Sequence, residues 1–319
     1  MHVSFLTPLG GLVGLLALVA LAALYGSARR SRALALELGL TPVGWIAALV
    51  PATALVLVGV LAGLAAAQPV VSRSASRSGR TDVEVVVVFD ITRSMLARAK
   101  PGEPTRFDRA RTIAKGLRTT LPDVPFGAAS LSDRLLPHLM PTTSANVFTA
   151  TLDRALGIER PPPDRSGGRV TALGALSALA TNNFFGEGSR RRLVVVLTDG
   201  ESLPVDVGTV RARLFRGRIV PFFVHVWGPD ERVFTPGGAV ERYRPDPGSG
   251  PLLDDLAAAL GGRVFTESES QALAAAARVA LGSGPTGPQG RELSSQQLAP
   301  YLVAALLLPL GLLLWRRNL

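Results

Sequence analysis

The sequence predicts an α/β domain, a doubly wound and mainly parallel sheet, with two apolar helices before it and one after it. Three observations carry this expectation. Apolar residues make up 47% of the 319 residues and charged residues only 18%, too apolar for a disordered chain and too poor in charge for an ordinary soluble one. The charge-free runs lie towards the two ends of the chain, where they read as membrane spans. Between them, continuous β-branched runs alternate with helical patterns, as a parallel sheet covered on both faces requires.

Residues 1–80 supply the first two helices and a linker. Phe5 to Tyr25 is free of charge and matches the roughly 20 apolar residues that cross a bilayer. A cleaved signal peptide is the competing reading, but the run lacks a basic leader and is too long for one. Arg29, Arg30 and Arg32 then read as a short basic loop. A second charge-free stretch, Thr41 to Ser72, places a helix over 43–67, with Trp45 near one end. The third, within 298–319, runs from Leu298 to Trp315 and stops at Arg316 and Arg317. The arginine cluster in the short loop and the terminal pair outweigh Arg73, Arg77, Arg80 and Arg291, because large domains cross a membrane largely regardless of charge. The expected protein is multi-pass, with its soluble domain outside the cytoplasm.

That domain is expected over 81–282, followed by a flexible linker, 283–297, rich in Gly, Pro, Ser and Gln. Val83–Phe89, Leu193–Leu197 and Ile219–Val226 read as central strands. Thr105 opens a helix that carries Phe107, Ala110, Ile113, Ala114, Leu117 and Leu121 at helical spacing, and Thr171 opens another. Pro251 and the Gly261-Gly262 pair bracket a further helix. Ser268 with Gln271 reads as the capping box of the last. In a doubly wound sheet, ligands bind beyond the carboxyl ends of the strands.

Composition narrows the chemistry. Without Cys there is no disulfide, thiolate site or cysteine nucleophile, and His2, His138 and His225 show no metal-ligand spacing. The net charge of +10 is almost all arginine, since Lys100 and Lys115 are the only lysines. It is dispersed among acidic neighbours, so no nucleic-acid stripe is expected. Arg190 to Arg192 and Arg211, Arg213, Arg216 and Arg218 read as solvated faces.

The first strand runs into Asp90-Ile91-Thr92-Arg93-Ser94-Met95, one carboxylate and two hydroxyls at alternate positions. Thr171 and Asp199 fall at other strand ends. Singly, each has an ordinary explanation: a turn cap, a helix N-cap, a turn dipeptide. Together they can line a site for a hard cation, which takes about six oxygen ligands, several of which can be hydroxyls and waters.

This arrangement resembles a von Willebrand factor type A (VWA) domain with its metal-ion-dependent adhesion site. The resemblance spans the expected domain and rests on a D-x-S-x-S motif, a later Thr and a later Asp. It implies that Asp90, Thr92, Ser94, Thr171 and Asp199 hold Mg²⁺ or another divalent cation such as Mn²⁺ or Ca²⁺. One coordination position would be left for an acidic side chain of a protein partner. Thr92 stands where Ser is usual, keeping the hydroxyl and adding a methyl group. The run Phe89 to Ala97, then Pro104-Thr105-Arg106-Phe107, with two spans before the domain and one after, is similar to bacterial aerotolerance (Bat-type) membrane proteins. That likeness implies a membrane-anchored, metal-dependent interaction module without enzymatic activity. It also implies a setting in envelope complex assembly or stress tolerance, with other VWA membrane proteins and a MoxR-type AAA+ ATPase. Arg93 is expected at the rim, as a second positive charge for the partner's acid.

Two rivals stand beside this reading. A haloacid-dehalogenase-like phosphatase would use Asp90 as nucleophile, but no Lys follows position 115 and no G-D-x-x-x-D follows the later strands. Serine hydrolysis lacks its G-x-S-x-G elbow. The other rival is a structural membrane scaffold with a decayed metal site.

Overall fold

The computed structural model describes residues 2–39, 45–162, 171–235 and 237–317; the start of the second apolar stretch, 41–44, lies outside the described residues. In chain order, β1 (His2–Phe5) leads through a 3-10 turn to α1 (Leu16–Glu37), followed by α2 (Trp45–Ala66) and β2 (Pro69–Arg80). Then come β3 (Val83–Asp90), α3 (Arg106–Thr120), β4 (Phe126–Leu131), β5 (Leu135–Thr142) and α4 (Ala145–Arg154). The second half has β6 (Arg191–Thr198), α5 (Val207–Arg216), β7 (Ile219–His225), α6 (Ser249–Leu260), β8 (Arg263–Thr266) and α7 (Ser270–Leu281). β9 (Thr286–Gln297) and α8 (Ala299–Arg317) close the chain. Two compact units result, residues 1–75 with 291–319, and residues 76–290.

In the first unit, Pro8–Glu37 and Leu49–Ala66 are long and apolar enough to cross a membrane, whereas the apolar part of α8, Ala299–Trp315, is shorter. The two long helices meet through glycine. A Cβ on Gly59 would lie 2.5 Å from the Ala17 Cβ and 2.9 Å from the Gly14 carbonyl oxygen, so this contact needs bare backbone. Arg29, Arg30 and Arg32 do not form a loop. They lie within α1, which continues to Glu37 because Arg, Ala and Leu are good helix formers. The expected flexible linker also differs, since most of it is β9, in a three-stranded sheet of order β1-β2-β9. Partnering with β2 overrides its Gly- and Ser-rich composition.

The second unit is built on a six-stranded sheet of order β5-β4-β3-β6-β7-β8, parallel throughout except that β5 runs antiparallel to β4 at one edge. Successive side chains of a strand point to opposite faces, and here both faces are covered. Val83, Val85, Val87 and Phe89 join Phe107, Ala110 and Leu117 of α3, Phe148 and Leu152 of α4, and Leu273 and Ala277 of α7 in one buried layer. Val86 and Val88 join Leu176, Val210, Leu214, Leu253 and Leu256 in the other. That two-sided burial, at about 1.5–3 kcal/mol per large apolar side chain, is why these strands read as unbroken apolar runs.

Caps fix the helix starts. Thr105 and Asp108 form a capping box, the Thr105 hydroxyl accepting from the Asp108 amide at 3.1 Å and Asp108 Oδ2 accepting from the Thr105 amide at 3.1 Å. This makes Arg106 the first residue of α3, pointing its side chain at a strand end. Gly261, at φ +70, ends α6 in the left-handed conformation glycine favours. Two expectations shift. Thr171 opens no α-helix; it bridges to Ser202, and a 3-10 turn follows over Leu173–Ala180. The last capping box is Thr266 with Glu269 rather than Ser268 with Gln271, because the chain leaves β8 at Thr266 and turns there.

Candidate functional site

The carboxyl ends of β3 and β6 are neighbours, with Phe89 opposite Leu197 in the parallel register. Asp90, the last residue of β3, is fully buried. Its Oδ1 accepts from the Thr92 amide at 3.0 Å and the Thr92 hydroxyl at 2.6 Å. Its Oδ2 accepts from the Thr171 and Thr198 hydroxyls, both at 2.7 Å. Thr92 Oγ1 also lies 3.1 Å from Ser94 Oγ and 3.1 Å from Thr171 Oγ1. Asp90, Thr92 and Ser94 thus converge around one point with Thr171, which lies 81 residues beyond Asp90, and Ser94 is half-buried at its outer side.

The proton count at this point decides what it can hold. A hydroxyl has one proton and two lone pairs. With Asp90 ionised, Thr92 and Thr171 both donate to it, so their oxygens face each other across 3.1 Å with lone pairs alone. An all-oxygen donor set of this kind suits a hard divalent cation and would be relieved by one. Among the described residues no group of three or more His, Cys, Asp or Glu is placed to hold a metal ion, so any cation here depends on the hydroxyls.

Burial, with the nearby Asp199 charge second, pushes the Asp90 carboxyl up to about 7, against the hydroxyl and amide donors that favour its ionised form. Asp199 is also fully buried, but its oxygens are engaged elsewhere. Oδ2 accepts from Arg106 Nη1 at 3.0 Å and Oδ1 from the Glu201 amide at 3.1 Å. Asp199 therefore acts on the hydroxyl cluster as a nearby charge.

Arg106 is the feature the sequence did not reveal as part of the site. Fully buried, it donates through Nε to Glu231 Oε2 at 2.6 Å, and through Nη1 to Asp199 and to the Tyr243 hydroxyl at 2.7 Å. Burial works against its charge, yet Asp199 and Glu231 outweigh that and hold it firmly protonated. The Tyr243 hydroxyl in turn donates to Glu201; burial, then that bond, keep the phenol above its ordinary range. Burial and the Asp199 charge likewise raise Glu201.

Arg93, expected as a spare positive charge at the rim, is instead paired with Glu241, Nε donating to Oε2 at 3.0 Å. Glu231, Glu241 and Tyr243 all belong to the chain between β7 and α6, so that segment is tied to the site by side-chain bonds. Thr198, which donates to Asp90, was missed as well. Its signal was its place directly before Asp199 at a strand end, and arginine in a P-T-R-F run was the corresponding sign for Arg106.

No protein-family profile matches this sequence, and no curated protein matches it. Solved structures do. BatB from Bacteroides thetaiotaomicron, a conserved hypothetical protein, is similar at TM-score 0.51 and 22% identity, the match covering 60% of this chain and 96% of that one. An aerotolerance-related membrane protein from Bacteroides fragilis is similar at TM-score 0.51 and 21% identity, covering 62% and 98%. A von Willebrand factor type A from Catenulispora acidiphila matches at TM-score 0.43 and 18% identity, covering 68% and 46%. The chain resembles Bat-type proteins in structure as in motif, and what it shares with the two Bacteroides proteins at these identities is the fold, a mainly parallel sheet between helical layers.

Proposed function

We propose that residues 76–290 form a non-catalytic binding module of VWA type. In this reading the Thr92, Ser94 and Thr171 hydroxyls would ligate a divalent cation, Mg²⁺ or alternatively Mn²⁺ or Ca²⁺, Asp90 and Asp199 would supply the negative charge around it, and a protein partner would dock through an acidic side chain. The observation that carries this reading is the 3.1 Å approach of the Thr92 and Thr171 oxygens, whose protons are both given to Asp90. When bound, the cation supplies a positive charge on which a carboxylate can rest. Asp90 holds the hydroxyls with their lone pairs turned away from itself, and Arg106 keeps Asp199 in place and balanced. The same bonds argue against Asp90 as a phosphoryl acceptor, because the four hydrogen bonds it accepts take up the roughly four lone-pair sites of a carboxylate.

Cross-linking of partners in membranes tests the reading. Capture is expected to vanish with EDTA and in Thr171→Ala, and to survive Thr92→Ser, which keeps the hydroxyl. A partner set indifferent to both EDTA and Thr171→Ala would leave the scaffold with a decayed metal site. The Bat-type likeness extends the proposal to envelope complex assembly or stress tolerance, alongside other VWA membrane proteins and a MoxR-type AAA+ ATPase.

The two long apolar helices fit a membrane protein. Within the same proposal α8 also spans, and the module lies outside the cytoplasm. With no native Cys, single thiols report the topology. Asp230→Cys is expected to react with a membrane-impermeant maleimide in intact cells, and Ala33→Cys only after lysis. The reverse pattern would place the module in the cytoplasm.

A further inference from the structure

At the end of the sheet away from the hydroxyl cluster, where β7 begins and α5 ends, lies an open groove of about 650 Å³ lined by Arg211, Phe215, Arg216, Arg218, Val220 and Leu260. Phe215 is 84% exposed and Val220 37%, and all three arginines are exposed. None of the three makes an ion pair among the described residues. Arginines near a helix C-terminus favour the helix dipole, which accounts for Arg216. It does not account for Arg211 and Arg218 converging on the same groove, nor for an aromatic ring left in water.

The position of this groove in the chain supplies the second observation. Arg80 Nη1 donates to the Gly282 carbonyl at 2.7 Å, Arg191 Nη1 to Leu281 at 2.7 Å, and Arg192 Nη1 to Gly217 at 3.4 Å. The points where the chain enters and leaves the sheet domain therefore lie on the same edge as the groove. From Arg80 the chain runs back to Ala66, the end of an apolar helix, a separation an extended chain covers in at most about 50 Å.

We propose that this groove seats on an anionic membrane surface, the guanidinium groups taking lipid phosphates and Phe215 entering the headgroup–acyl boundary. Cations near an anionic leaflet attract it, and an aromatic ring suits the interface. Docking would hold the strand-start edge to the bilayer and aim the carboxyl edge, with its hydroxyl cluster, away from it. The inference rests on the membrane anchoring and is independent of any metal.

The test uses the full-length chain in nanodiscs of phosphatidylcholine, with or without phosphatidylglycerol, carrying an NBD label on Val220→Cys and on Asp230→Cys as the remote control. Doxyl-labelled lipid is expected to quench the label at 220 in the anionic discs, much less in the neutral ones, and to leave the label at 230 bright. Replacing Arg211, Arg216 and Arg218 by Gln should lower the ratio of docked to undocked domains roughly a hundredfold, each arginine contributing about a fivefold factor. Phe215→Ser should weaken quenching without abolishing its dependence on phosphatidylglycerol. Quenching at 220 no stronger than at 230, or quenching that survives the triple replacement, would overturn the proposal. So would a label shielded from aqueous iodide but untouched by doxyl lipid, because a protein would then cover the groove.

Discussion

Saturating Mg²⁺ is expected to raise the melting temperature of the full-length chain strongly at pH 8 and only slightly at pH 5, with Asp90→Asn showing neither shift. A ligand bound by the native state alone contributes about 2.7 kcal/mol at a hundred times its Kd. The pH dependence follows from the buried carboxyl. Asp90 is raised to about 7 by burial and then by Asp199, so two units lower a proton competes with the cation and weakens binding about a hundredfold. Without metal the same group works in the opposite sense. The folded state holds this proton more tightly than the unfolded chain does, so its contribution is present at low pH and is lost as pH rises from about 4 through 7. Mg²⁺ should therefore restore at pH 8 what ionisation removed. Differential scanning fluorimetry across pH, with and without EDTA, reads both effects. An equal Mg²⁺ shift in wild type and Asp90→Asn would sink the metal assignment.

Arg106→Gln is expected to be the most damaging single change away from the apolar core, at about 3–5 kcal/mol, because it leaves buried carboxylates without their counter-charge. Asp199 and Arg106 are both completely shielded from solvent, and Glu231 nearly so. The pair Arg93–Glu241 is the internal comparison, since Arg93 is 41% exposed there and Arg93→Gln should cost under about 1 kcal/mol. Arg106→Lys should fall between, keeping the charge but losing the planar fork that reaches Glu231, Asp199 and Tyr243 together. Urea unfolding of the four proteins checks the order. If Arg106→Gln costs no more than Arg93→Gln, the arginine is not the counter-ion described above.

The difference between these two arginines also shows what the sequence could and could not reveal. Strands buried on both faces announce themselves as apolar runs, so β3, β6 and β7 were legible almost to the residue. β4, Phe-Gly-Ala-Ala-Ser-Leu, and β5, with its two prolines, carry no such run. β4 is a strand because β3 offers it an edge, and β5 because β4 then offers the next, which is a tertiary cause. Asp90, Thr92, Ser94 and Asp199 could be placed near one another because strand ends of a doubly wound sheet gather in one place, whereas Thr171 reaches Asp90 from an isolated bridge to Ser202 rather than from a strand end. The partners of Arg106 and Arg93 could not, because Glu231, Glu241 and Tyr243 sit in an irregular segment whose path no local pattern specifies. Local pattern also failed where strand pairing overrode composition, as in β9, and where helix propensity carried α1 through its arginines.

β5 has a further consequence. A sheet that ends in a strand can accept another strand from a neighbouring molecule, and proteins confined to a bilayer meet their neighbours far more often than proteins in solution do. Here the outer strand carries Pro137 and Pro141, neither of which has an amide proton to offer. At the opposite edge β8 is only four residues long. Neither border gives an incoming chain a continuous row of donors and acceptors, so crowded copies are kept from joining through the edges of this six-stranded sheet.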